Sequence, residues 1–445
     1  MRTLWFEQAL LPSGWCASVR FRIEAGRFAG IETGVDPAPG DDRHHIAVPG
    51  TPNLHSHAFQ RLMAGFAEVR SGPAGDDFWS WRDLMYRLVA AISPDDLAAI
   101  AAMAFVEMLE SGFTRTGEFH YLHHRPDGRP YDDIGEMAAA LAAAAERTGI
   151  GLTLLPVFYA HAGFGGTSPN SGQCRFVTDI DPFCRLHDAS ARAIASLPDA
   201  VIGVAPHSLR AVTADELAAL VTLADNRPIH IHIAEQTREV DDCLAWSGQR
   251  PVDWLLSRFS VDSRWCLVHA THVTPAECRA VAECGAVVGL CPVTEANLGD
   301  GVFPAADFFA ANGAFGIGSD SNVRIDLAEE LRLLEYGQRL TLRQRTALAA
   351  PGRSNGRVLF DAAVAGGHTA LAGGGVLRAG EPADLVELAP AMLDTGDRAL
   401  DHWIFAKGKV DRVWRAGREV VAGGRHHDRA AIAGRFDVVA RRLLS

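Results

Sequence analysis

The feature that most constrains this chain is a regular alternation of short apolar, β-rich segments with longer helical patterns, beginning near residue 46. This alternation is typical of repeated βα units that build a parallel sheet. Eight such strand segments can be counted, and nearly all finish on polar or ionisable residues. Their predicted last residues are His55, His120, Phe158, His207, His232, His269, Cys291 and Asp320.

Helix start signals support this order of strand followed by helix. A Ser or Thr followed three residues later by Asp or Glu stands at Ser93, Thr213 and Thr274, each just before an amphipathic run rich in Ala and Leu. Eight units that close on themselves predict an α/β fold, a (β/α)8 barrel of the TIM type over residues 47–367. Functional groups of such a barrel gather at the carboxyl ends of the strands, where the histidines lie.

The two ends of the chain have a different pattern. Residues 1–46 and 368–445 contain short alternating strands with turn glycines, for example at 383–388 and 410–415. We expect both ends to form one small β-sandwich domain beside the barrel.

Composition restricts the class of function. The formal net charge is −12 and there is no basic run, which argues against nucleic acid or an anionic membrane as partner. No segment approaches the ~20 consecutive apolar residues of a membrane span, and the start lacks a secretory leader, so a cytoplasmic protein is expected. The eight cysteines form no CxxC pair and are interpreted as reduced thiols. An anionic substrate would require local arginines.

Candidate metal ligands lie at three of the predicted strand ends. The pair His55 and His57 places two imidazoles on one face, because side chains alternate with period two, and neutral imidazoles suit zinc or a similar ion. On that spacing alone, hydrogen-bonded core histidines are an equally good interpretation. His232 and Asp320 add two further ligands at the same mouth, and together the four predict a site for a divalent metal and a water. We interpret His230 as a packed, hydrogen-bonded histidine.

The predicted metal centre is mononuclear. The only lysines, Lys407 and Lys409, lie outside the predicted barrel, so a modified lysine cannot bridge two metals there. Asp320 could accept the proton of the attacking water. Glu235, three residues after the fifth strand, is placed to hold or protonate a leaving nitrogen, with a solvated helix-start glutamate as the alternative. His269 could stabilise the tetrahedral intermediate.

Taken together, these motifs resemble the deaminase branch of the amidohydrolase superfamily, with one metal, two histidines from strand one and His-x-x-Glu after strand five. Within that branch, segments 49–61, 118–123, 205–210 and 318–324 resemble the formimidoylglutamate deiminases of histidine degradation. Enzymes of that kind convert N-formimino-L-glutamate and water to N-formyl-L-glutamate and ammonia. The resemblance implies a homodimer, catalytic roles for Glu235 and His269, and zinc or iron bound by His55, His57, His232 and Asp320.

The resemblance also implies a set of residues that grip the anionic substrate: Gln60, Arg82, Tyr121, His207 and Arg210. Arginine binds carboxylates in bidentate fashion, and a glutamate moiety carries two of them. Arg210 follows a strand end. Arg82 lies in an apparent loop, where a surface ion pair is a competing interpretation.

Two other functions stay open at this point. Related deaminases of guanine, adenosine derivatives or other aminated heterocycles share the same metal ligands, and aromatic stacking surfaces would favour a purine. A metal-lined barrel can also serve as a non-catalytic binding protein. The intact ligand set together with Glu235 and His269 argues against that second possibility.

Overall fold

The structure, a computed structural model, describes residues 2–66, 68, 78–390 and 395–444. Its strands are β1 (Arg2–Leu11), β2 (Gly14–Glu24), β3 (Arg27–Glu32), β4 (Asp42–Pro49), β5 (Thr51–Ser56), β6 (Phe113–His120), β7 (Gly151–Phe158), β8 (Val201–Ile202), β9 (Ala205–Pro206), β10 (Ile229–Ile233), β11 (Trp265–His269), β12 (Val287–Leu290), β13 (Ala314–Ile317), β14 (Leu385–Leu388), β15 (Val410–Arg415), β16 (Arg418–Ala422) and β17 (Arg425–His426).

The α-helices are α1 (Phe78–Val89), α2 (Pro94–Ser111), α3 (Glu136–Thr148), α4 (Ile180–Ile194), α5 (Ala214–Ala224), α6 (Thr237–Ser247), α7 (Pro251–Arg258), α8 (Pro275–Cys284), α9 (Pro292–Leu298), α10 (Ala305–Ala310), α11 (Leu327–Leu342), α12 (Asn355–Leu371), α13 (Asp397–Phe405) and α14 (Arg429–Leu444), with short 3-10 helices at Ala58–Met63 and Ser171–Gln173. None of the helices described is long and apolar enough to span a membrane.

Strands β5 to β13 form the predicted (β/α)8 barrel. β5 to β7 pair in parallel, and the fourth barrel strand is split into β8 and β9, which both pair with β7. β10 to β13 pair in parallel as a second group. Parallel bridges from Val204 to Ile229 and from Ser56 to Asp320 join the two groups. The sheet therefore closes on itself, which places the strand ends in one ring.

The predicted helix start signals form the caps expected of them. The side-chain oxygens of Ser93, Thr213 and Thr274 accept hydrogen bonds from the backbone N–H three residues later, and the acidic side chain at that position bonds back to the cap residue. Each cap satisfies two backbone donors that a helix leaves without partners. The order of strand followed by helix was thus readable from local sequence.

The end of α12 closes the amino-terminal end of the barrel. Gly366 allows this approach, because a Cβ there would overlap the Phe315 carbonyl oxygen of β13. Ala370 and Leu371 pack with barrel-interior side chains such as Leu54. His230 is buried here, and its Nε2 lies 2.8 Å from the Ala370 carbonyl oxygen. The interpretation of His230 as a packed, hydrogen-bonded histidine is confirmed.

Both ends of the chain contribute to one β domain, but its strands form a single eight-stranded sheet in the order β17-β16-β15-β14-β4-β1-β2-β3. Phe6 of β1 and Trp414 of β15 are three strands apart, about 14 Å in a flat sheet. Their ring centroids are 6.0 Å apart. The sheet is therefore strongly curled, and one of its faces encloses the hydrophobic core of the domain. The predicted β-sandwich would instead enclose its core between two separate sheets.

The C-terminal part of the chain also contains helices that the strand pattern did not predict. α14 packs on α2 of the barrel, with Ile432 and Val439 buried. Its apolar residues Ile432, Phe436, Val439 and Leu443 follow helical spacing, so the signal was present in the sequence. Since α12 packs on β5 and β13, the barrel also extends to Leu371, beyond the predicted boundary at 367.

A buried ion network joins the β domain to the amino-terminal end of the barrel. Arg115 of β6 and Arg415 of β15 both pair with Asp199, and Arg415 also pairs with Asp384 at 3.1 Å. The two guanidinium groups are almost completely inaccessible to solvent. Removing one partner from such a network leaves buried charge uncompensated, which costs far more than losing a surface pair.

We expect Arg415→Met to lower the free energy of unfolding by about 3 kcal/mol, because Asp199 and Asp384 lose their shared cation. Arg378→Met in the same β domain is the control, since Arg378 is 64% exposed and pairs with Glu381 at the surface. Thermal unfolding of both variants measures the difference. Equal midpoints for the two would contradict a stabilising role for the buried network.

Candidate active site

Four predicted metal ligands converge at the carboxyl ends of the barrel strands. The Nε2 atom of His55 lies 3.1 Å from that of His57 and 3.0 Å from that of His232. Asp320 Oδ1 lies 3.3 Å from His55 Nε2 and 3.2 Å from His57 Nε2. One donor atom from each of the four residues falls within 4.8 Å of all the others. All four side chains are buried.

The outer nitrogens of these histidines fix the orientation of the rings. His57 Nδ1 donates to the Phe119 carbonyl oxygen at 2.9 Å, and His232 Nδ1 donates to the His207 carbonyl oxygen at 3.0 Å. The Nε2 lone pairs then point at one another, an arrangement that requires a cation between them. Ligand atoms about 3.4 Å apart are expected around a tetrahedral zinc, so the observed separations fit a metal site.

Burial also keeps these imidazoles in the neutral form that binds metals. It lowers the pKa of His55 to about 3 and holds the pKa of His232 well below its ordinary value. Neutral imidazole and carboxylate together suit zinc, iron or manganese. The donor set therefore suits a divalent metal ion.

Left-handed backbone turns aim the side chains at the barrel mouth. Asp320, His269 and Ala234 have φ values of +44°, +67° and +51° at the ends of their strands. Non-glycine residues in this region cost of order 1 kcal/mol each and cluster at functional sites. Asp320 is further fixed by backbone hydrogen bonds, since its N–H donates to the His55 carbonyl oxygen and its own carbonyl oxygen accepts from His57 N–H, both at 2.9 Å.

A polar network supports Asp320 from below. Ser319 accepts from the Asn53 amide at 2.7 Å and donates to Asn322 Oδ1 at 2.6 Å. Asn322 Nδ2 in turn donates to Ser56 Oγ at 3.1 Å. The sequence placed Asn53 and Asn322 within recognisable motifs but assigned them no role. These hydrogen bonds join the first barrel strand to the segment after the last one. A local sequence pattern cannot reveal contacts between segments so far apart in the chain.

His269 lies among carboxylates. Its Nδ1 is 3.3 Å from Glu295 Oε1, and its Nε2 is 3.8 Å from Glu235 Oε1 and 3.9 Å from Asp320 Oδ2. Burial would lower the pKa of His269, but Glu235 and Glu295 raise it above its ordinary value. Burial raises the pKa of the Glu235 carboxyl. The pair can therefore hold a proton beside the metal ligands.

Sequence reasoning missed Glu295. It lies in the first turn of α9, the helix after the seventh barrel strand, and accepts from the Cys291 N–H at 2.9 Å. The same kind of signal, an acidic residue just after a strand end, had identified Glu235. Its contact with His269 fixes the ring that faces the cavity.

The residues predicted to bind substrate all line the same cavity. Gln60, Arg82, Tyr121, His207 and Arg210 face it together with Glu235, His269, Asp320 and two of the predicted ligand histidines. Gln60 Nε2 donates to the Tyr121 hydroxyl at 2.8 Å. Arg82 lies in helix α1, so its expected loop position was wrong, and it faces the cavity. His55 lies behind His57.

The two arginines are charged groups without a matching anion. Within the described part of the chain, neither Arg82 nor Arg210 has a carboxylate oxygen within 4.0 Å, and the Nε of each is buried without a hydrogen-bond partner. Burial would lower the pKa of Arg210, but Glu239 and Glu235 keep it above its ordinary value. Aromatic side chains that the sequence did not assign complete the wall: Phe78, Trp81, Tyr86, Tyr159 and Phe176.

Comparison with known proteins gives consistent matches. Residues 46–420 match the amidohydrolase family, and residues 1–45 match the N-terminal domain of formimidoylglutamate deiminase HutF. The chain is 50% identical to the formimidoylglutamate deiminase of Pseudomonas aeruginosa, covering 100% of both proteins. A crystal structure of an amidohydrolase from Brucella melitensis is 52% identical, with a TM-score of 0.97 and 100% coverage of both chains.

A more distant structure shares the fold. The adenosine deaminase of Xanthomonas campestris, solved with bound zinc, is 24% identical, with a TM-score of 0.80 over 99% of this chain and 98% of that one.

The two buried histidines of β10 provide a test of the ligand geometry. We expect His232→Asn to lose the metal, because one of the four converging donors is removed. His230→Asn should keep it, because His230 bonds to the Ala370 carbonyl oxygen and is not one of those donors. Metal content per chain after gel filtration measures both, with circular dichroism to verify folding. Folded His232→Asn that retains a full equivalent of metal would contradict the assignment.

Proposed function

The chain belongs to the amidohydrolase family, and we propose that it hydrolyses the formimidoyl group of N-formimino-L-glutamate, releasing N-formyl-L-glutamate and ammonia. One observation carries this choice of substrate. Two cationic side chains, Arg82 and Arg210, face the cavity of the metal donors without carboxylate partners among the described residues. A substrate with two carboxylates supplies the missing anions.

The metal in this proposal is one divalent ion, zinc or iron, held by His55, His57, His232 and Asp320. The converging Nε2 lone pairs and the barrel's lack of lysine support a single ion. When bound, such an ion supplies a Lewis acid that makes water nucleophilic at neutral pH.

Three side chains then handle protons around the formimidoyl carbon. Asp320 accepts a proton from the attacking water. Glu235, whose raised pKa allows it to be protonated near neutral pH, donates a proton to the nitrogen that leaves as ammonia. His269, held by Glu295 at 3.3 Å, donates a hydrogen bond to the oxygen added to the formimidoyl carbon and so stabilises the tetrahedral intermediate. The formyl C=O bond replaces the C=N bond to the terminal nitrogen, and that nitrogen leaves as ammonia with the two protons of the water. The C–N bond to the glutamate moiety is kept.

Substrate orientation comes from the opposite wall of the cavity. Arg82 and Arg210 bind carboxylates through guanidinium groups whose Nε atoms are buried without a hydrogen-bond partner. Gln60 and Tyr121 form a hydrogen-bonded pair at 2.8 Å, and the Gln60 carbonyl oxygen is buried without a partner and can accept from the substrate N–H. His207 packs edge-on against Tyr159, with ring centroids 4.7 Å apart, and closes the same wall.

A purine deaminase is the second candidate, and the aromatic lining is the observation that favours it. Trp81, Tyr86 and Phe176 could flank a flat ring. A neutral purine, however, would leave the guanidinium groups of Arg82 and Arg210 without a carboxylate partner among the described residues, whereas a dicarboxylate would pair with both. The dicarboxylate therefore fits the charges of the cavity better.

We further propose a homodimer and a cytoplasmic enzyme, in keeping with the 50% identity to a formimidoylglutamate deiminase. The β domain of residues 1–46 and 368–445 beside a barrel of 47–367 is part of the same proposal, with its boundary adjusted by helix α12.

Product analysis tests the reaction. Zinc-loaded protein is expected to release ammonia and N-formyl-L-glutamate from N-formimino-L-glutamate, and to release no ammonia from guanine or adenosine. Glu235→Gln should lower kcat by about 10²-fold or more, because the leaving nitrogen loses its proton donor. Formamide and glutamate as products would refute the deiminase reaction, and turnover of guanine or adenosine alone would favour the purine enzyme.

Arg210 can be tested with truncated substrates. Arg210→Met should lower kcat/KM for N-formimino-L-glutamate by about 30-fold or more, since a charged hydrogen-bond pair is lost. The comparison uses two analogues, each lacking one of the two carboxylates. Removal of the carboxylate that Arg210 binds should lower kcat/KM of the parent enzyme. The same removal should leave kcat/KM of Arg210→Met unchanged. Equal sensitivity of parent and variant to both truncations would contradict direct binding.

A further inference from the structure

A second, larger cavity adjoins the active-site cavity, and Arg82 and Arg210 line both. We call it the outer cavity; its other lining residues include Trp79, Phe164, Arg238 and Trp246. Its volume is about 590 Å³, against about 60 Å³ for the inner cavity by the same measure. Arg238 is 66% exposed and Trp246 is 45% exposed, so the outer cavity opens to solvent.

Three arginines from three separate elements converge on Trp79 in the wall of this cavity. The guanidinium carbon of Arg82 lies 4.5 Å from the centroid of the indole ring, that of Arg238 4.8 Å and that of Arg210 5.8 Å. Arg82 comes from α1, Arg210 from the loop after β9, and Arg238 from the first turn of α6. Each contact is of the cation–π type.

Such a cluster concentrates positive charge in a chain whose net charge is −12. Any two of the three guanidinium carbons lie no farther apart than the sum of their distances to the Trp79 ring. That upper limit is close to the Debye length of about 10 Å at 0.1 M ionic strength. Their mutual repulsion is therefore only partly screened. In the described residues, the single carboxylate within 4.0 Å of any of the three is Asp242, 3.7 Å from Arg238 in an exposed i,i+4 pair. A pair of that kind is weak.

Arg238 differs from an ordinary surface arginine stacked on a tryptophan. Arg258 is such a residue, with its guanidinium carbon 4.7 Å from the Trp254 ring and its nitrogens bonded to neighbours including the Gln249 side chain. Arg258 stands alone on its ring. Arg238 shares its ring with the two arginines that the proposed function assigns to the substrate carboxylates.

We propose that Arg238 and Trp79 form an outer binding site for dicarboxylates, from which the substrate passes to Arg82 and Arg210. The identity of the ligand rests on the proposed function, whereas the site itself rests on the arginine cluster and the cavity. The exposed guanidinium of Arg238 captures one carboxylate at the mouth. The shared position of Arg82 and Arg210 between the cavities lets the anion move inward without losing cationic partners.

The test compares Arg238→Met with Arg258→Met, both in the zinc-loaded protein. Each variant loses one exposed cation and keeps a stem that can cover its tryptophan. At an ionic strength of about 20 mM, Arg238→Met should raise KM for N-formimino-L-glutamate about three- to tenfold, and the difference should shrink at about 300 mM as salt screens the charge. Arg258→Met should match the parent enzyme under both conditions.

A binding measurement tests the outer site independently of the reaction. Calorimetric titration with glutarate, a dicarboxylate without a formimidoyl group, should give a weaker Kd for Arg238→Met than for Arg258→Met by a similar factor. Suppose that Arg238→Met weakens glutarate binding and Arg258→Met does not, but the parent enzyme does not turn over N-formimino-L-glutamate. The outer site then stands and the proposed function fails. The outer site is refuted if both variants give the same KM and the same glutarate Kd at low salt.

Discussion

The backbone pairing between the first and last barrel strands is the interaction on which the rest of this structure depends. Asp320 N–H donates to the His55 carbonyl oxygen, and His57 N–H donates to that of Asp320. These two hydrogen bonds close the barrel and bring side chains more than 260 positions apart in sequence to one point. The ligand cluster is thus a direct consequence of barrel closure.

The two ends of the barrel have different tasks. At the amino-terminal end, α12 fills the opening, and Arg115, Asp199 and Arg415 tie the barrel to the curled sheet of the chain termini. At the carboxyl end, left-handed backbone turns orient Asp320 and His269. Polar networks hold both residues in that orientation. The packed amino-terminal end keeps the barrel rigid, so the hydrogen-bond donors at the carboxyl end stay in fixed positions. Donors that are already in position need not reorganise during the reaction.

In the proposed reaction, charge selects the substrate more than shape does. The inner cavity is lined with aromatic rings that would accept many flat molecules, yet Arg82 and Arg210 leave two positive charges that an anion must neutralise. Arg238 extends this positive region outward around Trp79. A negatively charged protein thereby offers one locally cationic path to the buried metal site.

The sequence by itself determined the barrel, its eight strand ends to within three residues and the four candidate ligands, because alternation with period two and helix caps are local patterns. It also identified Glu235 and His269, since each stands at or just after a strand end. Only the tertiary structure decided that Glu295 holds His269, that Arg82 lies on a helix facing the cavity, and that the terminal strands form one curled sheet. Those facts depend on strand register and helix packing between distant segments, which no local periodicity encodes.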